Sequence, residues 1–243
     1  MTMHDTTERY TGPEYREANP DWHVSHSPWK ADLVVDALGG WRPRSICEVG
    51  CGAGEILRIL HDRLEPDRSV GFEIAPAAYE LCLGRTTAGL EFVLGDASET
   101  GERFDLMLLM DVIEHVEDPI GFLRGLRARA DRTILHIPLD LSVQSVLRRD
   151  RLMHARRSVG HLHYFTPETA VATIEDAGYA VTATEITRVT VDLPVKSFKA
   201  RVARLPRRVL PPAFVARTLG GFSLLVSAVN EPAAVFTSRA SSR

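Results

Sequence analysis

Apolar positions along the chain fall into short blocks of two kinds. Runs at 45–49, 70–74, 90–94, 104–110 and 133–137 are continuous or alternate with a period of two, which predicts strands. Between them, apolar residues spaced by three and four at 56–64, 76–83 and 119–128 predict amphipathic helices. Such alternation implies parallel strands joined by right-handed helical crossovers. The stretch after Asp105 to Met110 is unbroken, as expected for a central strand covered on both faces.

The flanks extend this reading. Ser27 suits an N-cap and Pro28 a first helical position, and the apolar stripe behind them stops at Gly39-Gly40. Arg148, Arg149, Arg151, Arg156 and Arg157 spread around a further predicted helix. Thr166-Pro167 then caps a helix to Ala177 that Gly178 closes, and strands follow at 179–186 and 222–229. Residues 1–26 read as a polar arm, and Trp22 and Trp29, in the passage 21–30 where arm meets body, anchor it to the body or close over a ligand. Residues 188–220 read as a basic insertion. A frayed tail begins at Asn230, with 231–243 wholly outside the body, which spans 27–187 and 221–230.

Charge changes the picture more than composition does. The net charge is −3, but residues 148–163 carry five Arg against one Asp, and 193–220 carry seven cations and no acid, which leaves about −14 for the rest. An acidic body with two basic patches fits a small acceptor, neutral or anionic, better than a long nucleic-acid track. Cys47, Cys51 and Cys82 cannot pair completely and lack a zinc pattern, and no apolar run approaches 18 residues. A cytoplasmic protein, monomeric or homodimeric and without stable membrane association, is expected.

The densest chemistry lies in Ile46-Cys47-Glu48-Val49-Gly50-Cys51-Gly52-Ala53-Gly54, a strand entering a glycine turn and then a helix. Glycines there let the chain turn tightly and let a nucleotide-type ligand approach the backbone. A dinucleotide fingerprint wants its third glycine at position 55, which is Glu55. Glu73 closes the next strand, where a carboxylate can accept hydrogen bonds from both ribose hydroxyls. Asp96-Ala97 follows the third strand, and Met110-Asp111 the fourth.

This E-x-G-x-G-x-G turn and its ordered acids resemble the class I S-adenosylmethionine-dependent methyltransferases. Asp111-Val112-Ile113-Glu114-His115 resembles the D/E-x-x-E-H passage of a subgroup similar to ubiquinone-pathway O-methyltransferases. The resemblance implies a Rossmann-like, doubly wound α/β fold: a mostly parallel seven-stranded sheet with an antiparallel last strand and helices on both faces. It further implies S-adenosylmethionine as donor, held by Glu48, Gly50, Cys51, Gly52, Gly54, Glu73, Ile74, Asp96, Ala97, Met110 and Asp111.

Two readings compete at Asp111. It is the N-cap of a capping box with Glu114 at the third position, or it joins Glu114, His115 and a later His around a divalent ion that polarises a hydroxyl. Asp in place of the first Glu of the similar E-x-x-E-H proteins shortens the reach and argues against the metal. His161 and His163, in Gly160-His161-Leu162-His163, are candidate general bases. His115 is a further candidate. His136, near a strand end, ranks behind His161 and His163 and is expected as a core residue bonded to a backbone carbonyl.

The expected activity is O-methylation of a hydroxyl on a small polar metabolite, a sugar or a natural-product intermediate, with a His removing the proton. The alternatives are an N-methyltransferase, a metal-dependent 2′-O-methyltransferase on a nucleotide or RNA end, an NAD-dependent oxidoreductase, and a non-catalytic nucleotide-binding module. For the 188–220 segment a lid is favoured over a subunit contact or a weak membrane-surface patch.

Overall fold

We describe residues 24–148, 150–193 and 198–230 of a computed structural model of the chain, leaving aside the side chains of 198–203. Trp22, Val195, Phe198 and Val202, the arm up to residue 23 and the tail from 231 thus lie outside the described residues or side chains.

One sheet organises the molecule. Its strands are β1 (Ser45–Val49), β2 (Arg68–Glu73), β3 (Leu90–Leu94), β4 (Phe104–Met110), β5 (Ala130–Pro138), β6 (Ala180–Thr187) and β7 (Ser223–Val229), in the spatial order β3-β2-β1-β4-β5-β7-β6. Neighbours from β3 through β5 pair in parallel. β7 runs antiparallel to both β5 and β6. This is the doubly wound, Rossmann-like sheet expected from the sequence.

The helices are α1 (Ser27–Leu38), α2 (Glu55–Leu64), α3 (Pro76–Leu83), α4 (Pro119–Leu126), α5 (Val143–Leu147), α6 (Asp150–Ser158), α7 (Pro167–Asp176), α8 (Val189–Asp192), α9 (Phe198–Val209) and α10 (Pro212–Thr218). β4 shows why they cover both faces. Met107 and Leu109 pack into one cluster with Leu123 of α4 and Ala170 of α7. Leu106, Leu108 and Met110 pack into the other with Val34 of α1 and Leu57 of α2. Each buried side chain of this size contributes roughly 1.5–3 kcal/mol of burial.

Several local expectations need correction. Ser27 is the first residue of α1 and does not cap it; His26 precedes it with no side-chain cap bond. β5 starts at Ala130, ahead of the apolar run, because its polar first residues find partners at the sheet margin: Asp131 pairs with Arg103, and Arg132 lies 4.3 Å over the Trp41 ring. Of the arginine-rich stretch, Arg148 is the C-cap of α5, Arg151, Arg156 and Arg157 lie in α6, and Arg149 is outside the described residues. Asn230 is held in place, its amide donating to the carbonyls of Arg127 and Ala130. Thr166 does cap α7, accepting from the Thr169 amide at 3.2 Å. Among the described residues no helix is long and apolar enough to cross a membrane.

Candidate active site

A cavity of about 660 Å³ opens beyond the carboxyl ends of β1, β2, β4 and β5, where open parallel sheets take their ligands. Its wall includes Glu48, Gly50, Cys51, Gly52, Glu73, Ile74, Asp96, Ala97, Met110 and Asp111. These are the residues singled out for a donor, with one exception.

The exception is Gly54, which is not part of the wall. Its φ is +76°, and an added Cβ would stand 2.4 Å from Phe92 Cε1. Gly54 therefore lets α2 start against β3, and it makes the tight helix–strand contact one residue before the position where a dinucleotide fingerprint has it. Gly52 is the contrasting case. Its φ is +57° and its α-carbon faces open space.

Glu73 closes β2 with its carboxylate already oriented. Oε2 accepts from the Gly52 amide at 2.8 Å and Oε1 from the Ala75 amide at 2.8 Å, so the acid holds the glycine turn and still has lone pairs to offer. Burial raises its carboxyl above the ordinary value against those amide bonds. Asp96 accepts from the Ser98 amide at 2.7 Å. Ile74, a large apolar side chain, is 44% exposed at the mouth. Glu48 is buried, and Oε2 has no hydrogen-bonding partner. Burial pushes its carboxyl up to about 8 despite the opposing charge of Lys30.

Asp111 follows β4 with φ +62°, a left-handed conformation rare outside glycine and tolerated where the surroundings over-determine it. The surroundings are a cation and a ring: Lys30 Nζ lies 2.6 Å from Oδ2, and His136 Nδ1 lies 2.5 Å from Oδ1. Burial would raise the Asp111 carboxyl, but Lys30 and His136 overturn this and hold it well below the usual carboxylate range. The capping-box reading is therefore corrected. Val112 is the cap of the turn Ile113–His115, with no side-chain cap bond, and Asp111 faces the other way.

His136 is corrected as well. It is buried, and its ring nitrogens meet Asp111 and, at 3.0 Å, Thr187 Oγ1, so no backbone carbonyl satisfies it. Both ring nitrogens are occupied, which removes it as a base. Trp29 of α1 packs its ring edge-on against His136 at 5.8 Å and lines the same cavity.

The acceptor side is assembled from two distant segments. The Glu114 carbonyl accepts from the amides of Leu162 at 2.7 Å and His163 at 3.1 Å, which pins the histidine loop onto the turn after β4. His161 then faces His115, with ring centroids 4.9 Å apart. Ligand atoms of Glu114, His115 and His161 come within 4.8 Å of one another, and Asp111 is not in this group. Both Glu114 carboxylate oxygens are buried without a hydrogen-bonding partner, and burial pushes that carboxyl well above its ordinary range.

His161 Nδ1 lies 2.5 Å from Asp140 Oδ2. His163 is not part of the cavity wall; its Nε2 sits 3.2 Å from the Glu117 carbonyl. Of residues 188–220, Val189 lines the cavity; Arg204 and Arg207 of α9 donate to the Leu193 and Leu219 carbonyls of the same segment, and Arg207 also reaches the Gln144 side chain of the body.

Sequence reasoning missed Lys30 and Asp140. Both left a signal. Lys30 occupies the buried stripe of α1 with Ala31, Val34 and Leu38, where a lone cation needs a partner. Asp140 stands two residues beyond β5, in the same strand-end zone that drew notice to His136.

The sheet order and a ligand crevice at its carboxyl edge define a Rossmann-like α/β architecture, and comparison with known proteins agrees. The family model described as a methyltransferase domain matches residues 28–184, so the chain belongs to this family. A ubiquinone biosynthesis O-methyltransferase of Cereibacter sphaeroides is 34% identical over 121 residues, 47% of this chain and 46% of that protein. The chain thus spans about half the length of the curated relative it matches. Among solved structures, the methyltransferase in complex with the Trm112 activator of Haloferax volcanii superposes with a TM-score of 0.64 at 14% identity, covering 96% of this chain and 100% of that one. Magnesium protoporphyrin IX methyltransferase of Synechocystis, solved with bound S-adenosylhomocysteine, gives 0.61 at 16% identity, covering 93% and 98%.

Proposed function

We propose that this chain methylates a hydroxyl on a small polar acceptor, with His161 removing the hydroxyl proton. The contact that carries this reading is the pairing of His161 Nδ1 with Asp140 Oδ2 at 2.5 Å. An ionised carboxylate only accepts, so Nδ1 bears the ring proton and Nε2 keeps its lone pair. His136 has no such free nitrogen, and His163 lies outside the cavity wall.

The residues present fit S-adenosylmethionine. A buried carboxylate oxygen without a partner, Glu48 Oε2, calls for a cationic donor, and the ammonium of the amino-acid end is one. Gly50, Cys51 and Gly52 would cradle that end, Glu73 would take the ribose hydroxyls, Asp96 the adenine amino group, and Ile74 and Ala97 would pack on the purine. When bound, the donor supplies a methyl group made electrophilic by sulfonium sulfur. The protein aligns acceptor and methyl near attack distance, and Nε2 of His161 takes the proton that the acceptor oxygen loses as it gains the methyl. A base of this kind contributes about 10²–10⁴-fold.

One observation favours a second reading. Glu114, whose buried carboxylate oxygens make no hydrogen bond and whose Oε1 lies 3.7 Å from His115 Nε2, shares its neighbourhood with His115 and His161, a donor set suited to a divalent ion. These three residues would hold the ion, which would polarise the acceptor hydroxyl. Asp111, committed to Lys30 and His136, would not join them.

Transfer of a labelled methyl group to a panel of hydroxylated metabolites, with wild type and His161→Ala and in the presence and absence of a chelator, tests both readings. Chelator-resistant turnover that His161→Ala abolishes supports the base. Turnover lost to chelator and restored by a divalent ion supports the metal. Wild-type rates in His161→Ala overturn both.

A further inference from the structure

One face of the molecule lies outside the chemistry described so far. α5, α9 and α10 converge there, and Arg207 of α9 ties them together: Nη2 donates to the Leu219 carbonyl at 2.8 Å and to Gln144 Oε1 of α5 at 3.3 Å, and Nε donates to the Gly220 carbonyl at 3.2 Å. α10 buries Val215 and Ala216 against the body, so the three helices are fixed as a unit.

What this unit turns outward is unusual. Leu147 at the end of α5 is 78% exposed and Val209 at the end of α9 is 80% exposed, with Val146, Leu205 and Phe214 each more than half exposed. Apolar side chains of this size scattered singly are ordinary, but six on three joined helices, counting Val143 at the start of α5, need an explanation. Cations stand among them. Burial, and then Arg151, Arg148 and Arg204 nearby, press the Arg207 guanidinium below its ordinary value, while Arg217 of α10 is paired with Glu168.

We infer that the α5–α9–α10 face docks reversibly on an anionic lipid surface, with its arginines on headgroup phosphates and its apolar side chains at the edge of the acyl region. Charge selects this occupant. A second copy of the chain in the same orientation would bring two arginine clusters together, whereas an anionic bilayer neutralises them and gives the projecting Leu and Val side chains an apolar medium. The described helices are far too short to span a bilayer, so the association is peripheral and salt-sensitive. Leu193, the C-cap of α8, whose Val189 lines the cavity, offers the carbonyl that accepts from Arg204, so the docking face is joined to the cavity wall.

Co-sedimentation of the full chain with vesicles tests the inference. The probes are phosphatidylcholine alone, phosphatidylcholine with 30% phosphatidylglycerol, and the mixed vesicles in high salt. Binding is expected to the mixed vesicles only and to fall in salt. Leu147→Glu with Val209→Glu, and separately Arg208→Glu with Arg148→Glu, should each weaken partition by about tenfold or more, since one cation near an anionic surface is worth roughly fivefold. Circular dichroism and S-adenosylhomocysteine affinity report whether the variants remain folded. Absence of vesicle binding, equal binding to neutral vesicles, or variants that bind like wild type each overturn the inference. So does a dimer detected by light scattering that Val209→Glu dissolves while vesicles capture nothing.

Discussion

His136 Nδ1 stands 2.5 Å from Asp111 Oδ1 while its Nε2 meets Thr187 Oγ1 at 3.0 Å, so the ring is held at both nitrogens and Asp111 is turned away from the cap position. Asp111 is not a cap and His136 is not a base. With Lys30 on the other carboxylate oxygen, they form a buried strut between α1, the end of β4 and β5.

The first prediction concerns that strut. Lys30→Met leaves Asp111 with one partner in a largely desolvated position and should cost about 1–3 kcal/mol, discounted from the cost of a fully buried pair because the Asp111 side chain is 31% exposed. Urea denaturation of the two proteins measures the difference, and equal midpoints would show the pair to be neutral.

Glu73→Ala should weaken S-adenosylmethionine binding by about 1–3 kcal/mol, because the variant loses the carboxylate proposed for the ribose and frees the Gly52 amide that it holds. Isothermal calorimetry reads this directly; an unchanged dissociation constant would reject the ribose role.

Asp140→Asn tests how His161 is oriented. An amide can present its NH₂ to Nδ1 and favour the wrong tautomer, so kcat should fall by roughly 10-fold or more while cofactor affinity and Tm stay near wild type. A turnover loss matched by an equal loss of Tm would instead mark Asp140 as structural.

Glu48 makes stability depend on pH in a defined direction. Its carboxyl titrates at about 8 in the fold against 4.5 ordinarily, so between those values the folded chain binds more protons than the unfolded one. Its contribution is complete below pH 4.5 and is lost as pH rises through 8, a matter of about a few kcal/mol. Glu48→Gln should flatten that slope in ligand-free protein. Calorimetry of S-adenosylhomocysteine binding near pH 7 in buffers of different ionisation enthalpy should register proton release in wild type, and none in Glu48→Gln.

Gly54→Ala should destabilise the fold by about 2–4 kcal/mol, through positive φ and a Cβ at 2.4 Å from Phe92. Gly52→Ala, which meets no atom, should cost about 1 kcal/mol through φ alone. Thermal denaturation of both separates packing from conformation; equal losses would contradict the geometry.

The strands and crossovers were legible because each is encoded locally: an unbroken apolar run for β4, a glycine turn after β1, an acid at the end of β2. The donor side of the cavity inherits that legibility, since Gly52, Glu73 and Asp96 follow strand ends directly. The acceptor side does not. Asp140 and His161 are 21 residues apart, and Lys30 and Asp111 are 81 apart, so no local spacing announces either pair. Gly54 misled for a related reason, since a glycine needed for packing and one needed for a ligand look alike until the neighbouring side chain is known.

Two amides on one carbonyl, Leu162 and His163 on Glu114, weld the loop to the turn. An engineer wishing to exchange acceptor preference between members of this family therefore cannot swap either segment alone. The transplantable cassette comprises both, cut where the chain leaves β4 and where it enters α7, and a graft of one half would arrive without the anchor that gives the imidazole its bearing.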